Sequence, residues 1–133
     1  MESPKNLSHL PIISVNDYDK IDAFDANQTD VMALSIGKAQ YSRDQISLKV
    51  WRHNGQKWSR QSEELPIHRN LDLSILFLAA LSTDISANYP KSILREIIDI
   101  PTDVQEIKDY YERNKQFIEP RLKELKQLLN EIV

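Results

Sequence analysis

The dipeptide Asn54-Gly55 sits inside "ISLKVWRHNGQKWSR", and it constrains the fold more than any other part of the chain. Ile46, Leu48 and Val50 alternate with Ser47, Lys49, Trp51 and His53, the period-two pattern of a strand with two unlike faces. Asn-Gly is the preferred centre of a two-residue type I′ hairpin, because both residues of that turn take positive φ. Such a hairpin pairs His53 with Gln56, Arg52 with Lys57, Trp51 with Trp58 and Lys49 with Arg60. The chain must therefore contain antiparallel β-structure, with two indoles on one face.

Further elements follow on both sides. "LPIISVNDY", Leu10 to Tyr18, is an apolar β-branched run that suits an edge strand, with Pro11 at its start where a lost donor matters least. Asn16 to Asp30 holds five Asp and no apolar period, and reads as an ordered loop or short helical turn. It lacks the glycine and closing Glu of a calcium loop. "VMALSIGKAQY", Val31 to Tyr41, sets Met32, Leu34 and Ile36 against Ala33, Ser35, Gly37 and Ala39. That is a strand with one face kept small, as though something bulky lies on it.

The helices come after. Pro66 suits a first helical position, and "PIHRNLDLSILFLAAL" to Leu81 becomes apolar all round, which predicts a buried central helix packed on the sheet. Lys91 to Ile98 reads as a short amphipathic helix. Thr102 and Gln105 form a capping box that opens a last helical stretch, residues 103 to about 132. Its stripe of Val104, Ile107, Tyr111, Ile118, Leu122, Leu125, Leu129 and Ile132 is heptad-like. A straight helix of this length spans about 45 Å, more than a globule of roughly 30–40 Å across accommodates. Either Pro120 folds it back or the overhang packs on another subunit.

The expected architecture is α+β: a small antiparallel β-meander on a buried central helix, with a C-terminal helical section. At 133 residues the chain suits one domain, with an α+β core at 10–83 and C-terminal helices at 90–133 that serve as an oligomerisation element. With 41% hydrophobic and 28% charged residues it reads as globular. No apolar run is long enough for a transmembrane helix, and the start lacks the pattern of a signal peptide. A cytoplasmic location without membrane partners is expected. Zero Cys removes disulfides, thiolate metal sites and a cysteine nucleophile. A net charge of −3 argues against duplex nucleic acid as a partner.

Charge is nonetheless concentrated. Residues 49–69, "KVWRHNGQKWSRQSEELPIHR", carry Lys49, Arg52, Lys57, Arg60 and Arg69 against Glu63 and Glu64, together with both tryptophans, His53 and His68. Indoles beside cations suit a small, flat, anionic ligand, nucleotide-like in character, since aromatics stack on bases and Arg pairs with phosphate. The expected binding set is Trp51, Arg52, His53, Trp58, Arg60, His68 and Arg69, in a non-catalytic protein that sequesters its ligand, with no cofactor and no metal. The structural alternative is a cross-strand aromatic pair packed in the interior, with Arg52, Arg60 or Arg69 neutralised by the Asp-rich loop. A second alternative is a small hydrolase acting on a phosphorylated or nucleotide substrate. In it His68 is oriented by Asp72 four residues on, and Glu63 or Glu64 supplies a further acid or base. No nucleophile elbow or glycine-rich phosphate loop accompanies them. A third alternative is a protein–protein interaction module working through the heptad helix.

The strings "ALSIGKAQY" and "KVWRHNGQKWSRQSEELPIHRNLDL" resemble a family of small, functionally uncharacterised bacterial proteins, a domain of unknown function in which a W-R-H-x-G-x-K-W-S-R-Q-S-E-E-L-P-x-H-R segment recurs. The resemblance covers roughly Leu10 to Leu81 and implies no role for any residue.

Overall fold

Ala33, Ser35 and Gly37 give the central strand a face with almost no side chain, and all three are buried. The computed structural model describes residues 1–87 and 93–133. Four strands, β1 (Leu10–Asn16), β2 (Val31–Lys38), β3 (Ile46–Arg52) and β4 (Glu64–Pro66), form one sheet in the order β1-β2-β3-β4. Every neighbouring pair is antiparallel, so the sheet is the expected meander, with β1 at one edge and the three-residue β4 at the other. Three helices, α1 (Ile67–Leu81), α2 (Gln105–Arg113) and α3 (Lys115–Ile132), follow it, and the fold is α+β.

The register separates two faces. Ser14, Ser35, Lys49 and Glu64 lie in one row across all four strands, beside a row of Gly37, Ser47 and Pro66. The opposite face carries Val15, Leu34 and Val50 in one row and Ile13, Ile36, Leu48 and Leu65 in the next. The polar face is the buried one: Ser35, Ser47 and Lys49 are nearly inaccessible, whereas Ile13, Val15 and Ile36 are exposed. Gly37 has a steric reason to be glycine. A Cβ there would stand 2.0 Å from the Leu10 carbonyl oxygen, so only glycine lets β1 approach β2 at its bulge between Pro11 and Ile13.

The turn at Asn54-Gly55 differs from the type I′ expectation. Gly55 has φ 96°, but Asn54 is not among the positive-φ residues. Its Oδ1 instead accepts hydrogen bonds from the Gln56 and Lys57 amides, both at 2.9 Å, and the Asn54 amide donates to the Lys57 carbonyl at 3.1 Å. An Asn side chain that caps its own turn competes with the two-residue hairpin. His53 then bridges to Trp58, not to Gln56. The shift is even, so Trp51 and Trp58 stay on one face. Regular pairing stops there, and Lys49 lies opposite Glu64 instead of Arg60.

The Asp-rich loop holds two short 3₁₀ turns, Tyr18–Lys20 and Ala23–Asp25. The described chain divides into two compact units, Met1–Leu71 and Asp72–Val133, with the boundary inside α1. Apolar composition does not make α1 buried all round: Ala79 and Ala80 are its buried residues, and Leu71, Leu73, Ile75 and Leu76 are exposed. In the second unit, Leu73, Phe77, Ile98 and Ile107 line an apolar groove of about 560 Å³. A 3₁₀ turn spans Leu94–Ile97, while Lys91 and Ser92 of the expected helix lie outside the described residues.

The last helical stretch breaks at Asn114, not at Pro120, which lies inside α3. Asn114 turns its side-chain Nδ2 back to the Tyr110 carbonyl at 3.0 Å and its amide to the Tyr110 and Tyr111 carbonyls, so side chain and amide together satisfy acceptors at the end of α2. The expected capping box does not form: α2 starts at Gln105 with Val104 as its N-cap and no side-chain cap bond. Asp103 Oδ1, and not the Thr102 hydroxyl, accepts from the Gln105 amide at 2.9 Å. Among the described residues no helix is long and apolar enough to cross a membrane.

Candidate functional site

A polar group buried in a sheet face is costly unless its hydrogen bonds are complete, and here they are. The chain just before β1 lays His9 onto the small face of β2 and β3, where His9 is 1% exposed. Its Nδ1 lies 2.9 Å from Ser47 Oγ and its Nε2 3.0 Å from Ser35 Oγ. Ser47 donates its hydroxyl to Glu64 Oε2 at 2.7 Å. The same oxygen accepts the Gln40 amide at 3.0 Å, and Lys49 Nζ stands 3.4 Å from Glu64 Oε1. Trp51 Nε1 donates to Ser35 Oγ at 2.8 Å.

These bonds fix the direction of every proton. Ser47 spends its hydrogen on the carboxylate, so its oxygen accepts from His9 Nδ1–H. The neutral ring then leaves Nε2 to accept the Ser35 hydroxyl proton, and Ser35 accepts from the indole. The chain runs from Trp51 through Ser35, His9 and Ser47 to Glu64.

The electrostatics agree with that order. Burial pushes the His9 imidazole below its ordinary value and outweighs the Glu64 carboxylate acting against it. Burial alone would push the Glu64 carboxyl up, but the Ser47 hydroxyl, the Gln40 amide, Lys49 and His9 together hold it below the ordinary carboxylate range.

Beside this network the sheet opens into a recess of about 390 Å³, lined by Ser8, His9, Lys49, Trp51, Trp58 and Arg60 among others. Trp51 and Trp58 meet edge to face with ring centroids 5.6 Å apart, and His53 stacks edge-on against Trp58 at 5.0 Å. Lys49 Nζ lies 5.1 Å over the Trp51 ring, a cation–π contact. Trp51 is buried and Trp58 half-buried, so Trp58 carries the accessible aromatic surface.

The expected site residues divide three ways. Trp51, Trp58 and Arg60 line the recess, and His53 supports it from behind Trp58. Arg52 is committed to acids: its Nε and NH2 bind Glu63 at 2.7 and 3.2 Å and its NH1 binds Asp30 at 2.6 Å. The Glu63 hydrogen bond, aided by Asp30 against the cost of burial, raises the guanidinium pKa further. Here the Asp-rich loop neutralises a cation, as one alternative foresaw. His68 and Arg69 are exposed at the start of α1 and do not line the recess. Of the alternative catalytic set, Glu63 serves Arg52 and Glu64 serves Ser47 and Lys49, and among the described residues neither bonds to His68. His9, Ser35, Ser47 and Gln40 were not foreseen as site residues.

Residues 1–93 match a family of unknown function, DUF6530. The chain belongs to that family. The match takes in the whole sheet, the His9 network and the recess, and it ends before α2 and α3 begin. No curated protein and no solved structure matches the chain.

Proposed function

We propose that this protein is a non-catalytic, cytoplasmic binding protein for a small anionic ligand with a flat ring, nucleotide-like in character, held in the recess between Trp58 and the residues before β1. The observation that carries this reading is the contrast between two arginines of one stretch. Arg52 is matched to two carboxylates, as a structural cation is. Arg60 lies exposed at the rim of an aromatic recess and, among the described residues, makes no ion pair. An unmatched guanidinium beside an accessible indole suits an anion on a flat ring. A volume of about 390 Å³ falls in the range of small-molecule sites.

In this reading Trp58 stacks on the ring, Arg60 meets the negative charge and Lys49 adds positive potential from the floor. The test is a thermal-shift screen with adenine and guanine nucleotides. Arg60→Ala should abolish any shift and leave the unliganded melting temperature unchanged, because Arg60 carries no structural contact that its loss would break. A fall in that temperature would assign Arg60 to the fold.

We also propose self-association through α3. Leu125, Leu129 and Ile132 lie along one helical face with 38%, 50% and 80% of their surfaces exposed, the spacing of a coiled-coil seam. Light scattering on Leu125→Glu/Leu129→Glu checks it: a smaller particle is expected, and an unchanged one removes α3 from any assembly.

A further inference from the structure

Two anchors fix the chain that walls one side of the recess. At the first, the Ser3 amide donates to Asn16 Oδ1 at 2.9 Å and the Ser3 and Ser14 hydroxyls meet at 2.7 Å. At the second, His9 is bonded to β2 and β3 through both ring nitrogens. Between them Pro4 to Ser8 make no hydrogen bond among the described residues, yet Leu7 and Ser8 line the recess. On that side the wall is held by the His9 ring and by the Leu10–Lys38 pairing that opens β1, and of the two the ring is the one that lines the recess.

We infer that His9 is the positioning residue of the recess: in its neutral form it holds the Leu7–Ser8 wall in place, and a proton on it releases the wall and lowers ligand affinity. This inference rests on the recess being a ligand site. The chemistry follows from the directed chain of protons. Neutral His9 donates from Nδ1 and accepts at Nε2, and both bonds are complete. A proton added at Nε2 turns that nitrogen into a second donor aimed at Ser35 Oγ, which already receives the Trp51 indole proton at 2.8 Å. The Ser35 hydroxyl then loses its acceptor inside the sheet, an orphaned buried donor.

The charged groups facing the ring are Glu64 on β4 and Lys49 on β3. Glu64 Oε2, 3.6 Å from Nδ1, favours the proton, while Lys49 and burial oppose it, with burial the largest influence. Arg60, also at the recess, adds positive charge. The neutral ring is thus favoured in the fold. The stabilisation it gives is present above the ordinary value of 6.5 and is lost as pH falls through the lower folded value.

The experiment reads the wall and the ligand separately on the intact protein. Nitrogen chemical shifts of the His9 ring should show the Nδ1–H tautomer near pH 8, and backbone nitrogen relaxation at Leu7 and Ser8 should report added fast motion as the ring takes its proton. His9→Gln, whose carboxamide offers an acceptor and a donor but cannot titrate, should make that change disappear. An Nε2–H tautomer, or relaxation that stays constant while the ring titrates, overturns the inference whether or not anything binds. For a nucleotide positive in the thermal-shift screen, the dissociation constant should rise up to about tenfold per pH unit through the His9 titration and should not do so in His9→Gln. Binding that ignores pH overturns the inference and leaves the site standing. A screen with no shift for any nucleotide removes the binding reading, and the tautomer and relaxation results still decide what His9 does to the wall.

Discussion

Lys49 Nζ stands 3.4 Å from Glu64 Oε1 across the β3–β4 register, with 9% and 5% of the two side chains exposed. The pair sits at the junction of two systems. Glu64 ends the proton chain that starts at Trp51, and Lys49 forms the floor of the recess and lies over the Trp51 ring. The two partners are unequal. Glu64 also receives the Ser47 hydroxyl and the Gln40 amide, whereas Lys49 has Glu64 as its ion-pair partner among the described residues.

That inequality predicts different costs for breaking the pair. Glu64→Leu strands Ser47, the Gln40 amide and a buried ammonium together, and should cost about 3–5 kcal/mol. Lys49→Met leaves the carboxylate with its two other donors and should cost about 1–3 kcal/mol. Urea denaturation of the two variants measures both values. A larger loss from Lys49→Met would mean that the carboxylate, and not the ammonium, is the group the interior holds at greater expense.

The same carboxylate sets a pH window. Folding lowers the Glu64 pKa, because the Ser47, Gln40, Lys49 and His9 contributions exceed the opposing effect of burial. Between the folded value and the ordinary value of 4.5 the unfolded chain therefore binds more protons. The stability Glu64 supplies is full above 4.5 and is lost as pH falls through the folded value. Urea midpoints measured across this range should drop in the wild type. In Glu64→Gln, which starts less stable, they should drop by less. Parallel curves for the two proteins would remove Glu64 from the acid response.

Why these residues were only partly legible in the sequence has a physical answer. The small face of β2 and the period-two pattern of β3 are local signals, and from Ala33, Ser35 and Gly37 one reads that something bulky must cover that strand. The covering groups are Trp51 and His9, 5.7 Å apart at ring centroids. His9 was missed because it precedes β1 in a polar stretch, and its partners Ser35, Ser47 and Glu64 come from three different strands. Local spacing cannot show such a cluster. The one available signal was that Ser35, Ser47 and Lys49 occupy alternate positions of central strands, where uncompensated polar groups are costly. At Asn54-Gly55 the propensity correctly marked a turn. The Asn54 side chain then moved the register by two, to His53 opposite Trp58, and a further turn at Arg60 and Gln61 took up two more residues, so Lys49 met Glu64 where the type I′ turn would have put Arg60.

The two glycines, Gly37 and Gly55, are there for different reasons, and substitution should separate them. At Gly37 the obstacle is backbone, the Leu10 carbonyl oxygen 2.0 Å from where a Cβ would stand, which cannot rotate away. Gly37→Ala should cost about 3 kcal/mol or more and detach β1. At Gly55 no atom beyond its two chain neighbours would lie within 4 Å of a Cβ, and the strain comes only from φ 96°, so Gly55→Ala should cost about 1–2 kcal/mol. Chemical denaturation gives the totals, and amide protection along Leu10–Asn16 should fall in the first variant alone. Equal effects would contradict the close approach of β1 and β2.

Pro120 is the sixth residue of α3 and leaves that helix unbroken, although it has no N–H to give Gln116 and its ring crowds the Gln116 carbonyl. The Arg121 guanidinium donates to the neighbouring Phe117 carbonyl at 2.7 Å, satisfying an acceptor in the turn that the proline disturbs. The helix therefore carries a local penalty, because proline is about 3 kcal/mol worse than alanine in a helix interior. Pro120→Ala restores the missing donor and should stabilise α3 by about 1–3 kcal/mol. Amide exchange between Gln116 and Leu125 should slow, while protection in β1 to β4 stays as it was. Unchanged or faster exchange around Pro120 would mean that the ring makes contacts worth as much as the hydrogen bond it removes.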